Sequence, residues 1–352
     1  MKIAVLDDFQ QVFKTLACYT CLEGHEVVAF TNAIKDPLEL AERLRGFDIV
    51  VLTQQRTSLT RTTIERLDRL VMVAQTGYHT SHIDLEACTE YGILVSGASA
   101  GPSIATAELT WALILAARRH IVEEVQALKS GRWQTTIGDG LHGRTLGIYA
   151  FGKTGAMVAP VGRAFGMRVI CWGRSGSLGR AAEAGFEIAE SRWSLFAQSD
   201  ILTLHLPLNP ETRGIVTFSD LTLMKPSALI VNTSRSAIIE PGALVQALQA
   251  GRPGAAAVDV YEAEPVTDPA SEPLLSMPNV LCTPHLGYVE RANYEKLFGG
   301  VVKSILAFAA GAPVDIANPD VLPLATSGGA SASGCAEQPR DSARRGKPTT
   351  RP

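Results

Sequence analysis

The sequence predicts an α/β protein with two doubly wound parallel-sheet domains, and three observations support this fold class. The chain has 352 residues, which is too long for one core of ordinary size and suits two domains. Short β-branched runs alternate with stretches of helical spacing, as they do in βαβ units. The runs show little polar–apolar alternation, which indicates strands that are covered on both faces.

The first α/β region begins at the N-terminus and contains five of these runs. The chain opens directly on a strand with two acids behind it, so we expect no signal peptide. Charged stretches with helical spacing, such as 37–44 and 61–69, separate the runs. The expected strands span 2–6, 26–30, 48–53, 71–75 and 93–96.

A second α/β region follows a long helix that we expect over 107–129 and that ends at Gly131. Helical spacing over 154–165 and 241–249 separates its strands, as expected of another doubly wound sheet. The expected strands span 145–149, 168–172, 201–204, 229–232, 256–260 and 280–283.

The remaining segments decide the predicted domain boundaries. A helix over 291–310 has no neighbouring strand, so we expect it to pack back on the first domain. The predicted domains are residues 1–99 plus 289–320, and residues 100–288. Over 321–352 small, proline and basic residues replace the apolar ones, which predicts a disordered tail.

Composition and charge exclude several classes of protein. Apolar residues make up 46% and charged residues 19% of the chain, values that are typical of a packed globular protein. The formal net charge is −3 and no basic face is visible, so we expect neither nucleic acid nor a membrane as a partner. The most apolar helical run, 111–117, is far shorter than the roughly 20 residues that a membrane span needs.

The six cysteines indicate neither a disulfide framework nor a metal site. Cys18 and Cys21 have C-x-x-C spacing, but no second pair or nearby histidine set accompanies them. We interpret this spacing as chance and expect no metal. Scattered thiols are typical of a reduced, cytoplasmic protein.

A turn after the strand over 145–149 is similar to the dinucleotide fingerprint G-x-G-x-x-G. In that motif the glycines permit a tight turn, an approach of backbone amides to pyrophosphate, and close helix–strand packing. This chain has Ala150 at the first position and Gly152 and Gly155 at the other two. The same pattern also occurs in plain strand-to-helix turns, but a strand before it and a helix after it favour a dinucleotide.

The end of the next strand bears on the choice between NAD and NADP. An acid that holds the adenosine ribose is expected about 20 residues after the glycines. The chain has Gly173, Arg174 and Ser175 there. Arginine bonds strongly to phosphate, which favours a 2′-phosphate and therefore NADP. Stacking of Arg174 on adenine, or a position in solvent, is the alternative, so both cofactors stay open.

Three strand ends of the second region carry Arg235, Glu264 and His285. Open α/β sheets bind ligands at the carboxyl ends of their strands. Taken singly, these residues suit an ion pair, a turn and a structural histidine. Together they suit hydride transfer at C2 of a small 2-hydroxy or 2-keto acid with a nicotinamide cofactor.

Each of the three residue types has a role in that chemistry. Arginine grips a carboxylate in a fork and polarises the adjacent carbonyl group. Histidine exchanges a proton with the substrate oxygen near neutral pH. A neighbouring glutamate favours the imidazolium form and fixes the tautomer.

With these motifs, residues 1 to 318 resemble the D-isomer-specific 2-hydroxyacid dehydrogenase family, which includes phosphoglycerate and glyoxylate/hydroxypyruvate enzymes. The resemblance implies D-stereospecificity, a flavodoxin-like substrate domain, a Rossmann NAD(P) domain, an active-site cleft between them, and a homodimer. It implies that Arg235, Glu264 and His285 are the catalytic residues.

The resemblance also implies binding residues. The loop 75–77, followed by Ile83 and Asp84, resembles one whose amides hold the substrate carboxylate, which assigns Thr76 and Gly77 to the substrate. Asp259 matches an aspartate that contacts the nicotinamide amide. The implied cofactor-binding residues are Thr106, Phe151, Gly152, Lys153, Thr154, Gly155, Arg174, Ser175, His205, Leu206, Pro207, Thr233, Ser234, Asp259 and Gly287.

Two nearby features are left with two interpretations each. Arg56 is either a second substrate contact in the cleft or a surface arginine. His79 and His82 either tune specificity or are solvated loop residues, which is the safer view.

The chain departs from the family pattern at Ala150, at Gly173–Arg174, and at Ser236, which replaces the usual glycine after the arginine.

Two other functions stay open. One is an NAD(H)-sensing scaffold or co-repressor of the same fold. The other is a dehydrogenase whose hydride donor is formate or phosphite.

Overall fold

A computed structural model describes residues 1–98 and 104–322, and its first sheet has five parallel strands in the order β2-β1-β3-β4-β5. This is the flavodoxin-like order. The inner strand β3 is buried at every residue, which explains its continuous apolar sequence. The strands are β1 (Lys2–Val5), β2 (Glu26–Ala29), β3 (Ile49–Leu52), β4 (Met72–Thr76) and β5 (Leu94–Ala98).

The second sheet has seven parallel strands in the order β12-β11-β10-β9-β6-β7-β8. Numbered 1 to 7 along the chain and read from β8, this order is 3-2-1-4-5-6-7, so its first six strands follow the Rossmann order 3-2-1-4-5-6. The strand β8 was not predicted from the sequence, because it has only two residues. The strands are β6 (Thr145–Tyr149), β7 (Arg168–Trp172), β8 (Glu187–Ile188), β9 (Ile201–Leu204), β10 (Leu229–Asn232), β11 (Ala255–Val258) and β12 (Val280–Cys282).

Helices cover the faces of both sheets, and short 3-10 turns occupy several connections. The helix α1 begins after Asp36, whose carboxylate accepts from the amides of Leu38 and Glu39. The helices are α1 (Pro37–Leu44), α2 (Arg61–Ile64), α3 (Leu85–Glu90), α4 (Ile104–Arg118), α5 (Ile121–Lys129), α6 (Lys153–Ala164), α7 (Ser175–Glu183), α8 (Arg192–Gln198), α9 (Phe218–Thr222), α10 (Ala243–Gln249) and α11 (Arg291–Ala309).

The single helix predicted over 107–129 is wrong, because two helices occupy this stretch. His120 separates α4 from α5 and has a φ of 51°, in the left-handed region. A helix cannot pass through that conformation. Neither glycine nor proline stands at the break, so the sequence carried no usual signal for it.

The last helix, α11, packs against the first sheet although it follows the second sheet in sequence. Phe298 and Ile305 lie in one buried cluster with Ile3 and Val5 of β1. The predicted fold class, with two parallel-sheet α/β domains, is confirmed. The exact domain boundaries stay a prediction, and the tail predicted over 321–352 lies outside the described residues except for Val321 and Leu322. Within the described residues no helix is long and apolar enough to cross a membrane.

Candidate active site

His285 and Glu264 form a close pair at the carboxyl ends of strands β11 and β12. The Nδ1 atom of His285 lies 2.5 Å from Oε2 of Glu264, and both side chains are about four-fifths buried, with 18% and 22% exposed. The Tyr261 amide donates to Oε1 of Glu264 at 2.9 Å. Burial alone would raise the pKa of Glu264, but the bond and charge of His285, the Tyr261 amide and Arg56 together lower it. Glu264 is therefore a carboxylate that can hold an imidazolium.

Asp259 fixes the loop that carries His285. Its side chain is completely buried, and its two oxygens accept from the amides of Leu286 and Gly287 at 2.7 and 2.8 Å. The Thr283 hydroxyl donates to the same carboxylate at 2.6 Å. Burial raises the pKa of Asp259 against these three bonds. The predicted contact of Asp259 with the cofactor stays a prediction, and its visible role is to hold the loop.

The backbone of His285 has a φ of 52°, which is an uncommon value for a residue other than glycine. Such conformations cost about 1–3 kcal/mol and persist only where the surroundings enforce them. The bonds from the loop to Asp259 supply part of that enforcement. The imidazole is therefore aimed by a conformation that the free loop would avoid.

Arg235 lies near this pair, directly after β10. One guanidinium nitrogen donates to the Ser234 carbonyl at 2.7 Å and the other to Oε1 of Gln55, from the first sheet domain, at 3.2 Å. Burial lowers the pKa of Arg235, the charge of Glu264 opposes this, and Arg56 adds to the lowering. Glu264, whose charge acts on Arg235, forms ion pairs with Arg56 and His285 instead. Among the described residues Arg235 has no carboxylate partner of its own, and a substrate carboxylate could supply one.

Arg56 is placed against the pair by the segment that follows β3. Its side chain is only 7% exposed and lies 3.6 Å from Glu264. It also donates to the Tyr288 hydroxyl at 2.8 Å and to the His285 carbonyl at 3.3 Å. Arg56 is not a surface arginine, and the predicted substrate contact stays a prediction.

The turn between β6 and α6 fits a dinucleotide phosphate. Ala150 occupies the first fingerprint position with a φ of 79°, so the backbone keeps the glycine conformation despite the methyl group. A Cβ at Gly155 would lie 2.5 Å from the Ala150 carbonyl, whereas a Cβ at Gly152 would meet nothing within 4 Å. Open space therefore lies next to Gly152, at the start of α6. The backbone amides in the first turn of a helix have no partner within the helix, and helices bind phosphate through such amides.

A cavity of about 920 Å³ continues from this turn toward the ends of β7 and β9. Arg174 stands at its rim in an exposed ion pair with Glu211, at 3.1 Å. His205 hydrogen-bonds Thr203 at 3.0 Å, and burial lowers the pKa of His205 to about 4, so the ring is neutral. The predicted cofactor residues in its lining are Gly152, Arg174, Ser175, His205, Leu206 and Pro207.

The other predicted cofactor residues lie elsewhere along the same domain. Thr106 donates to the Gly287 carbonyl at 2.7 Å, and the hydroxyl groups of Thr233 and Thr110 are 2.9 Å apart. Ser234 donates to the Leu206 carbonyl. Phe151 is buried in the core, Gly155 is packed beneath the turn, and Lys153 and Thr154 begin α6.

The loop predicted to hold a substrate carboxylate runs from the end of β4. The Thr76 hydroxyl accepts from the Gln54 amide at 2.7 Å, and the Gly77 amide already donates to the Ala98 carbonyl at 2.7 Å. Gly77 has a φ of 100°, so glycine is required there for conformation. Other amides of the loop would have to hold the carboxylate.

The two loop histidines differ in their surroundings. His79 is exposed, as expected of a solvated residue. His82 is half-buried and lies 3.2 Å from Oε1 of Gln75, and burial together with the neighbouring His79 lowers its pKa to about 4. The view that His82 is a solvated loop residue is therefore wrong.

Four residues with visible roles at the site were not identified from the sequence. Gln55 links Arg235 to Ser81, and Tyr288 links Arg56 to the loop of His285. Ser177 accepts from the Phe151 amide at 2.6 Å, and Arg180 donates twice to the Phe151 carbonyl. Each contact joins segments far apart in sequence, so spacing carried no signal for it.

Comparison with known proteins assigns the chain to a family. Residues 111–287 match the model described as D-isomer specific 2-hydroxyacid dehydrogenase, NAD binding domain. Glyoxylate reductase from Aeropyrum pernix is 39% identical over 269 residues, which are 74% of this chain and 79% of the relative. The chain belongs to the D-isomer-specific 2-hydroxyacid dehydrogenase family. The resemblance read from the sequence motifs is confirmed, as is the predicted binding of NAD or NADP without the choice between them.

Two further similar proteins show how far the likeness extends. D-3-phosphoglycerate dehydrogenase from Methanocaldococcus jannaschii is 39% identical over 267 residues, or 75% of this chain, which spans about half (50%) of that relative. A phosphoglycerate oxidoreductase from Vibrio cholerae is 45% identical with a TM-score of 0.84, over 89% of this chain and 100% of the solved chain. The likeness therefore covers both sheet domains.

Proposed function

We propose that the protein is a dehydrogenase or reductase that interconverts a small 2-keto acid and the corresponding D-2-hydroxy acid with NAD or NADP. The observation that carries this proposal is the pair formed by His285 and Glu264 at 2.5 Å. Near it lies the guanidinium of Arg235, which has no carboxylate partner among the described residues. Glyoxylate and hydroxypyruvate are our first candidate substrates, because relatives are named glyoxylate reductase and hydroxypyruvate reductase.

Each residue of the site has a defined part in this reaction. When bound, the nicotinamide supplies the hydride for C2 or accepts it. Arg235 binds the substrate carboxylate in a fork and stabilises negative charge on the C2 oxygen. His285 gives its Nε2 proton to that oxygen in reduction and takes it back in oxidation. Glu264 accepts from Nδ1 of His285, which sets the tautomer and stabilises the imidazolium.

The chain's own residues would hold the cofactor along the second domain. The amides at the start of α6 and Gly152 face the pyrophosphate position, and the cavity lined by Arg174 and His205 takes the adenosine. Thr106, Asp259 and Gly287 meet at the loop of His285, where the nicotinamide end belongs.

The test is a spectrophotometric assay with purified protein. NADH and NADPH oxidation is followed with glyoxylate, hydroxypyruvate, pyruvate and bulkier 2-keto acids. Oxidation with at least one 2-keto acid, yielding the D-isomer, supports the proposal. Tight cofactor binding without turnover would favour the scaffold, and NAD(P) reduction by formate or phosphite would favour the other dehydrogenase. No contact among the described residues favours either alternative.

We propose NADP as the preferred cofactor, and Arg174 as the residue that selects it. Replacing Arg174 with alanine should raise KM for NADPH about tenfold or more and leave KM for NADH nearly unchanged, since a hydrogen bond to a charged group contributes about 1.5–3 kcal/mol. Glu211→Gln should lower KM for NADPH, because it frees Arg174 from the competing carboxylate. Initial rates with each cofactor measure both effects.

The matched control for this prediction is Arg213→Ala, because Arg213 is also exposed but does not line the cavity. It should leave both KM values unchanged. If Arg174→Ala changed the KM values for NADH and NADPH equally, Arg174 would not be the residue that binds the 2′-phosphate.

We propose a homodimer whose interface includes α5 and the segment after it. Large apolar side chains are exposed there, with Trp133 at 75% and Ile137 at 95%. Patches of this kind usually mark an interface. The exposed apolar residues of this surface are Ile121, Val122, Val125, Leu128, Trp133 and Ile137.

Sedimentation of the double variant Trp133→Asp/Ile137→Asp tests this interface. The wild type should sediment as a dimer and the variant as a folded monomer, because two charges would have to be buried. Leu38→Asp is the control, since Leu38 is exposed on α1. A monomeric wild type, or a variant that stays dimeric, would contradict the proposal.

The five free cysteines of the described residues fit a reducing compartment, and we propose the cytoplasm.

A further inference from the structure

Arg56 joins the first sheet domain to the catalytic pair of the second. It follows β3, and its guanidinium reaches the segments of Glu264 and of residues 285–288. Nε donates to the Tyr288 hydroxyl at 2.8 Å, Nη2 donates to the His285 carbonyl at 3.3 Å, and Nη1 lies 3.6 Å from Oε2 of Glu264. All three nitrogens are thus directed at residues of the site.

The position of Arg56 is itself enforced from several directions. The guanidinium carbon lies 5.3 Å from the centre of the Tyr288 ring, within the range of a cation–π contact. On the first domain's side, Asp7 is buried and accepts from the Thr57 hydroxyl at 2.7 Å, and the charge of Arg56 acts on this carboxyl group. The guanidinium therefore has little freedom to turn toward a substrate.

The contacts of Arg56 act on the backbone of His285 and on the carboxylate of Glu264, which together set the direction of the imidazole. The His285 carbonyl that it binds belongs to a residue with a φ of 52°. The Glu264 oxygen that it faces is the oxygen that His285 contacts at 2.5 Å. Loss of Arg56 would free the strained backbone to relax and would let the Glu264 carboxylate turn. The imidazole would then point away from its working direction.

We propose that Arg56 is a positioning residue, which locks His285 and Glu264 together only while the two sheet domains are engaged. This inference rests on the reaction proposed above and assigns Arg56 a different role from a substrate contact. The first domain thereby contributes directly to acid–base chemistry, and separation of the domains switches the pair off.

Steady-state kinetics separate positioning from substrate binding. Arg56→Ala should lower kcat about 100-fold, because a displacement of about 1 Å in a catalytic group costs that much, with little change in KM for the keto acid. Arg56→Lys keeps the charge but cannot make all three contacts, so its kcat should lie between those of the wild type and Arg56→Ala. Arg61→Ala is the matched control, since Arg61 pairs with Glu90 at the surface of the same domain. A rise in KM with kcat intact would overturn the proposal in favour of a substrate contact.

A cavity beside Arg56 allows a chemical rescue. It measures about 350 Å³ and is also lined by Phe9, Val266 and Leu286. Ethylguanidinium added to Arg56→Ala should restore part of kcat, whereas ethylammonium should not, because only the planar guanidinium forms the fork of contacts. Equal effects of the two cations would argue against positioning through these bonds.

Proton NMR provides a readout that does not depend on turnover. The short bond between His285 and Glu264 should give a strongly downfield proton resonance, identified by its loss in His285→Ala. In Arg56→Ala and Arg56→Lys this resonance should shift or broaden, while the folded spectrum and the Arg61→Ala resonance stay as in wild type. An unchanged resonance in the Arg56 variants would overturn this inference, whether or not the wild type reduces a 2-keto acid. Absence of 2-keto acid reduction by the wild type would refute only the proposed function.

Discussion

Replacing His285 with alanine is expected to lower kcat for 2-keto acid reduction by about 10²–10⁴-fold, the usual contribution of a positioned acid or base. The substrate oxygen would then receive its proton from water. Cofactor affinity should change little, because the imidazole is held by Glu264 and does not line the cavity of about 920 Å³ proposed for the adenosine. Steady-state rates with NADH or NADPH measure the first effect, and fluorescence titration with the same cofactor measures the second.

The pH profile adds a second test of the role of His285. If His285 donates the proton, the pH dependence of the rate that comes from this step should flatten in the variant. His142→Ala is the matched control, because His142 is an exposed histidine that precedes β6. It therefore lies at the amino ends of the strands, whereas the site lies at their carboxyl ends. A His285→Ala enzyme with wild-type kcat and an unaltered pH profile would remove His285 from the mechanism.

The fold could be predicted from the sequence because burial on both faces leaves a strong local signal. The strands β3 and β10 are buried at every residue and read as continuous apolar runs. The strand β8 has two residues, too few for any period, and it was missed. The break at His120, which has a φ of 51°, was missed because neither glycine nor proline stands there to signal it.

The core of the site was predictable for a different reason. Parallel strands bring their carboxyl ends to one edge, so residues at three strand ends had to lie close together. The contact between His285 and Glu264 follows from that rule. The role of Arg56 does not, because its partners belong to the other domain and depend on how the two sheets pack. A sequence period describes one element and contains no information about such contacts.

Replacing Arg235 with alanine is expected to impair binding and catalysis together. The guanidinium is part-buried and has no carboxylate partner among the described residues, so a substrate carboxylate would complete its charge balance. Loss of this group should raise KM for the keto acid and lower kcat by about 10²–10³-fold, the usual cost of removing one donor to a developing oxyanion. Arg235→Lys keeps the charge without the planar fork and should fall between wild type and Arg235→Ala.

The combination of effects distinguishes Arg235 from the other residues of the site. Loss of His285 should act on kcat, and loss of Arg174 should act on KM for NADPH, whereas loss of Arg235 should change both constants for the keto acid and neither cofactor affinity. Arg45→Ala is the control, since Arg45 forms an exposed pair with Glu42. If Arg235→Ala kept its KM for the keto acid, the carboxylate would have to be bound by loop amides after β4. In that case the contact with Gln55 would make Arg235 a link between the domains rather than the residue that grips the substrate.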